Sequence, residues 1–275
     1  MDLREDSRNL TEEVASLASL PAKVDVEASV EKQEKLSKDV YRMTLKAPSI
    51  ALRSRPGQFV QVGIKQGAAL LRRPLGLAEV DTMNGNIVLN YRVLGRGTEA
   101  LSRLCPEDMV QVLGPLGHGF TVNPAKPLLV GGGMGLSPLL YYAKWLSARK
   151  VDVDIMMGGR TAEELFWQKD FAACTKNIYL TTDDGSLGTK GYVTALLPQI
   201  LTGSNYDRVV VCGPEIMMKN VYEVCKQKLV PCEVSLERRM GCGLGACLSC
   251  SIDTLSGRRK VCKDGPVFPA EEVFF

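Results

Sequence analysis

Short β-branched runs, each closed by turn residues, fill the first half of the chain. They are Val24–Val30, Val40–Leu45, Gln58–Val62, Ile87–Val93 and Met109–Leu113. Between them lie Ala47-Pro-Ser, Arg55-Pro-Gly, Met83-Asn-Gly-Asn and Leu113-Gly-Pro-Leu-Gly. Strand-length runs with this punctuation over about residues 23–125 predict a small closed barrel. From residue 126 the pattern turns to strand–helix alternation. Leu128–Val130, Val151–Met157, Ile178–Thr181 and Arg208–Cys212 read as buried strands, with helices over 137–146, 162–172 and 215–228. Continuous apolar strands alternating with helices predict a doubly wound, mostly parallel α/β unit. Ahead of both, Leu10, Val14, Leu17 and Leu20 recur at helical spacing, with Asn9 and Glu12 placed as a capping box and Pro21 as a stop. We expect a helical extension over residues 1–22.

The last stretch, 232–275, is marked by chemistry rather than by hydrophobic period. Cys242, Cys247, Cys250 and Cys262 have the spacing C-x4-C-x2-C-x11-C, and Gly241, Gly243 and Gly245 lie around the first of them. Three thiolates on a Gly-rich loop, closed by a fourth from a nearby hairpin, match the ligand pattern of a plant-type [2Fe–2S] cluster. Strands at about 249–252 and 258–262 would form that hairpin. A four-Cys zinc site is the alternative; such sites use short C-x2–4-C pairs, which suits Cys247 and Cys250 better than the Gly-rich arm.

Composition narrows the field. Nine cysteines, an odd number unevenly spread, argue against a disulfide framework and for a reducing compartment, the cytoplasm. Cys105, Cys174, Cys225 and Cys232 have no partner at ligand spacing and read as ordinary buried thiols. His118 is the single histidine, so a His-based triad or His-rich metal site elsewhere is excluded; it reads as a loop residue. A net charge of +3 with no basic block argues against nucleic acid. No apolar run spans a bilayer, and the acidic N-terminal stretch lacks the apolar core of a signal peptide.

The loop Gly131-Gly-Gly-Met-Gly135 follows a strand and opens a helix, where backbone N–H groups attract phosphate. Its glycines depart from strict G-x-G-x-x-G spacing, so a ligand-free tight turn stays open beside dinucleotide binding. Arg160 follows the second strand, where a ribose-binding acid would stand, and leaves NAD against NADP undecided. A nicotinamide carries electrons in pairs and an iron–sulfur centre carries them singly, so a flavin is needed between them. Arg72-Arg-Pro-Leu-Gly76, Asn90-Tyr-Arg-Val93 and Gly95-Arg-Gly-Thr98 are the candidate flavin segments. Arg73 suits a phosphate, Tyr91 suits stacking, and Gly97-Thr98 suits close backbone approach. A solvated arginine face with ordinary strand aromatics is the alternative.

In chain order, Arg73-Pro-Leu, Tyr91-Arg-Val, Gly97-Thr98, Gly114-Pro-Leu-Gly-x-Gly-Phe120, Gly131–Gly135, Thr182-Asp-Asp-Gly-Ser-Leu-Gly188, Cys212-Gly-Pro-Glu-Ile-Met-Met218 and the four cysteines form a series. So does the ending Lys260-Val-Cys-Lys-Asp-Gly-Pro-Val-Phe268. Over roughly residues 23–270 this resembles the electron-transfer subunits of bacterial NAD-dependent dihydroorotate dehydrogenase, within the ferredoxin–NADP reductase superfamily. The resemblance implies FAD at Arg73, Pro74, Leu75, Gly76, Asn90, Tyr91, Arg92, Gly97 and Thr98. It implies NAD at Gly131, Gly132, Gly133 and Gly135, and a [2Fe–2S] cluster at Cys242, Cys247, Cys250 and Cys262. Cys212 matches a superfamily cysteine near the nicotinamide ring. The family commonly has Ser where Gly76 stands. The implied partner is an FMN-containing dihydroorotate dehydrogenase catalytic subunit, in a heterotetramer of two plus two, serving pyrimidine biosynthesis. Reductase subunits of hydrogenases, sulfite or sulfur reductases and ferredoxin–NADP exchange complexes share the layout and form the alternative. The expected fold is α+β multidomain: a six-stranded antiparallel β-barrel (23–125), a doubly wound parallel α/β domain (126–231), and a small [2Fe–2S] cysteine module (232–275).

Overall fold

The computed structural model describes residues 22–64 and 70–274. The expected helix over 1–22 lies outside the described residues, apart from Ala22.

Six antiparallel strands close the barrel: β1 (Val24–Lys35), β2 (Val40–Lys46), β3 (Phe59–Gly63), β4 (Arg73–Asp81), β5 (Asn86–Arg92) and β6 (Met109–Leu116), in the order β1-β2-β5-β4-β3-β6. Alternation puts Ala28, Val30, Met43, Leu45, Val60, Val62, Leu77, Ile87, Leu89, Val110 and Val112 into one core. Closure gives every strand a neighbour on both sides over at least part of its length. β4 carries no β-branched run in its first half and was not among the strands read from the sequence. Its opening, Arg73-Pro-Leu-Gly, is held instead by register with β3, where Val62 faces Arg73 and Gln61 faces Pro74.

Pairing is incomplete at one corner, and that corner matters. β4 pairs with β3 over Arg73–Gly76 but with β5 only from Leu77 onward. β5 in turn keeps Asn90, Tyr91 and Arg92 paired to β2 alone. Between 73–76 and 90–92 the two strands therefore part. Pro74 is tolerated there because its missing N–H faces no partner strand.

A second sheet of seven strands follows, built on β7 (Pro127–Gly132), β8 (Asp154–Gly159), β9 (Asn177–Thr182), β10 (Thr189–Lys190), β11 (Arg208–Cys212) and β12 (Cys232–Ser235). The order is β10-β9-β8-β7-β11-β12, all parallel, with one antiparallel strand added at the edge. Cys232–Ser235 thus belongs to this sheet, which runs on past residue 231. The chain leaves β7 toward β8 on one side and returns to β11 on the other. Ligand crevices form where an open parallel sheet switches direction in this way. Helices Leu136–Ser147, Val193–Gly203 and Glu215–Gln227 cover the faces; the middle one and the short β10 were not read from the sequence. The expected helix over 162–172 is two pieces, a 3₁₀ turn Ala162–Leu165 and a helix Gln168–Ala172.

The cysteine segment carries a hairpin, β13 (Ser251–Thr254) with β14 (Gly257–Lys260), and then β15 (Val267–Pro269), which pairs antiparallel with β12. The module is thereby stitched to the second sheet. It also touches the barrel, since Phe59 and Leu116 share a core with Cys250, Val261 and Cys262. Barrel and α/β unit meet through the helix Leu136–Ser147. Asn90 Nδ2 donates to Ser137 Oγ at 3.2 Å, Tyr141 donates to the Ser54 carbonyl at 3.2 Å, and Lys144 pairs with Glu79 at 2.5 Å.

Candidate functional site

One cleft of about 760 Å³ lies where all three modules meet. From the barrel come Arg73–Gly76, Asn90–Arg92 and Thr98, the segments beside the parted strands. From the α/β unit come Met134, Ser137, Pro138 and Cys212, at the switch point. Ser235–Met240, the link into the cysteine loop, forms a third wall. Because β4 and β5 each lack one partner here, their polar backbone edges face the cleft. That is a cradle for a planar, hydrogen-bonding ligand, and its size is that of a cofactor pocket.

Individual side chains are held for the task. Tyr91 is buried, and its hydroxyl accepts a hydrogen bond from Gln33 Nε2 at 2.7 Å. Its ring stacks on Tyr41 with centroids 5.9 Å apart. Burial pushes its phenol up to about 12, against the lowering effect of the Gln33 bond. Arg73 Nη1 donates to the Leu71 carbonyl at 2.6 Å, which leaves its other nitrogens over the helix Arg96–Ser102. Gly97 does not line the cleft; it lies behind Arg73, where a Cβ would sit 2.3 Å from Nε. Thr98 Oγ1 accepts from the Leu94 and Gly95 amides and fixes the turn. At Gly76 a Cβ would meet only Pro138, at 3.8 Å.

Close packing accounts for Gly131, Gly132 and Gly135 of the Gly-rich loop. Of residues 131–135 only Met134 borders the cleft. Gly131 is pressed against Leu136 and Leu139, and Gly132 against Met217 and Pro214. Gly135 is the tightest, its missing Cβ 2.2 Å from the Cys212 carbonyl oxygen, so the turn after β7 can close on the end of β11 only with glycine there. Gly133 has φ +55° and open space around it. Cys212 is buried beside the cleft, its Sγ 3.7 Å from the Ser235 carbonyl, and burial pushes its thiol up. Arg160 does not stand free: Glu164 accepts from its backbone N–H at 2.8 Å and pairs with its guanidinium at 2.5 Å.

The four cysteines come together as two pairs. The Cys242 N–H points at Cys247 Sγ and the Cys247 N–H at Cys242 Sγ, each at 3.4 Å, while the Leu244 N–H reaches Cys242 Sγ at 3.3 Å. The Cys262 N–H lies 3.5 Å from Cys250 Sγ. Gly243 and Gly245, with φ +72° and +84°, make this amide-inward loop possible. Hydrogen bonds from Ser249, 3.1 Å from the sulfur, hold the Cys247 thiol down, at about 6, and burial holds Cys262 up, at about 12. Among the described residues no group of three His, Cys, Asp or Glu is placed around one metal ion. Two thiol pairs with amides aimed at sulfur suit a two-iron centre, which takes two protein ligands at each iron, better than one tetrahedral zinc. All nine cysteines are free. Cys225 and Cys232 are buried, as expected of ordinary core thiols; Cys105 is exposed, on a turn held by Asp108, and so departs from that expectation. His118 is a loop residue whose N–H reaches the Gly265 carbonyl at 2.7 Å.

Ser235–Met240 were not among the site residues read from the sequence. Glu237 is the notable member, an exposed residue on the cleft wall whose carboxyl is pushed above its ordinary value by desolvation alone. The run Glu237-Arg-Arg239 directly before the Gly-Cys segment was the available signal, but a charged triplet reads equally well as solvated linker.

Three family models match successive parts of the chain: an oxidoreductase FAD-binding domain over residues 27–120, an oxidoreductase NAD-binding domain over 129–223, and the iron–sulfur cluster binding domain of dihydroorotate dehydrogenase B over 237–274. The dihydroorotate dehydrogenase B (NAD(+)) electron transfer subunit of Geobacillus thermodenitrificans is 41% identical over 89% of this chain and 96% of its own length. The chain belongs to that family. The Bacillus cereus (strain Q1) subunit of the same name is 39% identical over 88% of this chain and 95% of its own. A solved NADH-dependent reduced ferredoxin–NADP oxidoreductase, described for flavin-based electron bifurcation, superposes with a TM-score of 0.81 at 32% identity, covering 90% of this chain and 89% of its own. A ferredoxin NADP⁺ reductase from Neisseria gonorrhoeae, TM-score 0.63 at 16% identity over 74% of this chain and 91% of its own, shares the fold. The family membership makes this chain an oxidoreductase subunit with FAD-, NAD- and iron–sulfur-binding domains. No described helix is long and apolar enough to cross a membrane.

Proposed function

We propose that this chain carries FAD and a [2Fe–2S] cluster and passes electrons from an FMN-containing dihydroorotate dehydrogenase catalytic subunit to NAD⁺. One observation carries the reading: a single cleft touches the barrel, the switch point and the link to the cysteines, so three redox groups are served by one wall-sharing site. When bound, a flavin exchanges electrons singly with an iron–sulfur centre and in pairs, as hydride, with nicotinamide.

In this reading Arg73 neutralises the FAD phosphates, and the free backbone edges of Arg73–Gly76 and Asn90–Arg92 hydrogen-bond the flavin. Tyr91, braced by Gln33 and Tyr41, covers a ring face. Gly97 leaves room for the Arg73 head, and Thr98 fixes the turn beside it. Gly131, Gly132, Gly133 and Gly135 let the dinucleotide loop close against β11 and offer its amides to NAD. Cys212, a neutral buried thiol, flanks the nicotinamide. Cys242, Cys247, Cys250 and Cys262 hold the cluster. Leu244, Leu248 and Leu255 are exposed on this module, which suits a face that docks the catalytic subunit. We place the domains at 23–125, 126–235 and 236–275, the middle one lengthened to take in Cys232–Ser235, and the assembly in the cytoplasm as a heterotetramer of two plus two. The likeness to the ferredoxin–NADP oxidoreductase favours one second reading, exchange with ferredoxin in place of dihydroorotate.

The test is Cys247→Ala in the complex with the catalytic subunit. It is expected to abolish dihydroorotate-linked NAD⁺ reduction while sparing NADH oxidation by an artificial dye. Equal loss of both activities in protein that still holds FAD refutes the route. Reduction of NAD⁺ by ferredoxin but not by dihydroorotate selects the second reading.

A further inference from the structure

Gln61 is the polar side chain the fold leaves most conspicuously without a purpose. It sits mid-strand in β3, fully buried, and neither its Nε2 nor its Oε1 has a hydrogen-bond partner among the described residues. A primary amide brings two donors and a carbonyl acceptor, and burying all of them unpaired opposes folding. An apolar residue would serve a β3 core position better, unless something outside the polypeptide completes the amide.

Its direction follows from the pleat. Val60 and Val62 point into the barrel core, so Gln61 shares the opposite face with Phe59. That face is covered by the cysteine module, because Phe59 packs in one core with Cys250, Val261 and Cys262. Gly243, the residue after the first cysteine of the module, lies directly over the amide: a Cβ there would be 2.8 Å from Gln61 Cγ and 3.0 Å from Nε2. Glycine at 243, with φ +72°, thus lets the Cys242–Leu244 turn settle onto the amide. On its other side Gln61 is in register with Pro74, which lines the cleft. The unpaired amide therefore stands between the cleft and the thiol loop.

We propose that the Gln61 side chain donates a hydrogen bond from Nε2 to a sulfur of the iron–sulfur centre held by Cys242, Cys247, Cys250 and Cys262. The proposal rests on those thiols binding such a centre. Its effect is electrostatic. Reduction adds one negative charge to the centre, and an N–H dipole aimed at sulfur stabilises the added charge, so Gln61 raises the reduction potential. The backbone amides of Cys242, Leu244, Cys247 and Cys262 already point at ligand sulfurs. Gln61 is a side-chain donor from a different domain, which ties the potential of the centre to the seating of the module on the barrel.

The experiment uses the full chain loaded with FAD and cluster. Iron, acid-labile sulfide and FAD per chain are measured first, and the centre is then titrated potentiometrically by EPR. In Gln61→Leu, which removes the donors at similar volume, iron and FAD stay at wild-type stoichiometry. The ratio of reduced to oxidised centre, read at the wild-type midpoint, falls about three- to tenfold, while the flavin titration is unchanged. An unchanged ratio in fully loaded Gln61→Leu overturns the proposal. If that variant loses the centre, the wild type decides: pulsed EPR of protein carrying side-chain ¹⁵N-glutamine shows a nitrogen coupling to the reduced centre if Gln61 donates, and its absence overturns the proposal. Gln58 is an internal control, its amide being spent on the Gly117 carbonyl at 2.8 Å. Wild-type protein that takes up no iron would instead remove the iron–sulfur reading, and this proposal with it.

Discussion

Gly97→Ala separates ligand binding from folding at one position. A Cβ on Gly97 would stand 2.3, 2.4 and 2.5 Å from Arg73 Nε, Nη2 and Cζ, whereas ordinary contact begins near 3.4 Å. The guanidinium must withdraw by about 1 Å. It can do so, because it is the far end of a flexible side chain. The backbone at 97 is under no strain, and Gly97 lies in the first turn of the helix Arg96–Ser102, where alanine is the better helix former by up to about 1 kcal/mol. Stability of the flavin-free protein should therefore hold or rise slightly. Binding should not. A misplaced Arg73 forfeits a charge-assisted hydrogen bond to an anionic ligand, of order 1.5–3 kcal/mol, which weakens FAD binding by roughly 10- to 150-fold. The assay is FAD titration into flavin-free protein, followed by fluorescence quenching, beside thermal unfolding of the same samples. An FAD Kd within twofold of wild type refutes the placement of Arg73 at the cofactor. A Tm lowered by several degrees would show that the backbone had moved instead of the guanidinium.

Two other substitutions test the cleft wall and the loop after β8. Partial desolvation against the cleft wall holds the Glu237 carboxyl above its ordinary value of 4.5, although the residue is exposed overall, so folding favours the protonated form. The stability this contributes is complete below about pH 4.5 and is lost as pH rises through the raised value. In flavin-free protein Glu237→Gln should therefore gain on wild type as pH increases, read as the difference in Tm across the acid-to-neutral range; a pH-independent difference contradicts a desolvated, titrating Glu237. Glu164→Gln removes the carboxylate that engages Arg160 and leaves the guanidinium free for a 2′-phosphate. The NADP⁺ to NAD⁺ ratio of kcat/KM should rise severalfold, and an unchanged ratio would place Arg160 away from the coenzyme ribose.

Local pattern was enough for much of the architecture. Period-2 runs such as Val40–Leu45 and buried runs such as Arg208–Cys212 found their strands nearly to the residue, because their side chains alone decide which face is buried. The thiol spacing of 242–262 was legible because ligand geometry fixes chain intervals. Arg73-Pro-Leu-Gly did not read as a strand. Nothing in those four residues favours one, and only register with β3 makes them extended. The glycines of 131–135 were read as a dinucleotide loop with a ligand-free tight turn left open, and the demand that the Cys212 carbonyl, 77 residues away in the chain, places on Gly135 was not legible in the sequence.

The sequence by itself determined most of the strands, the Cys-bearing loop suited to a metal centre, and the order of the three modules, since each depends on residues close together in the chain. Tertiary structure alone decided where β4 and β5 part, that Glu237 faces the cleft, and that Gln61 lies unpaired beneath Gly243. Those features arise from pairing and packing between distant segments. Desolvation, which shifts a carboxyl and sets the cost of an unpaired amide, belongs to the folded chain as a whole.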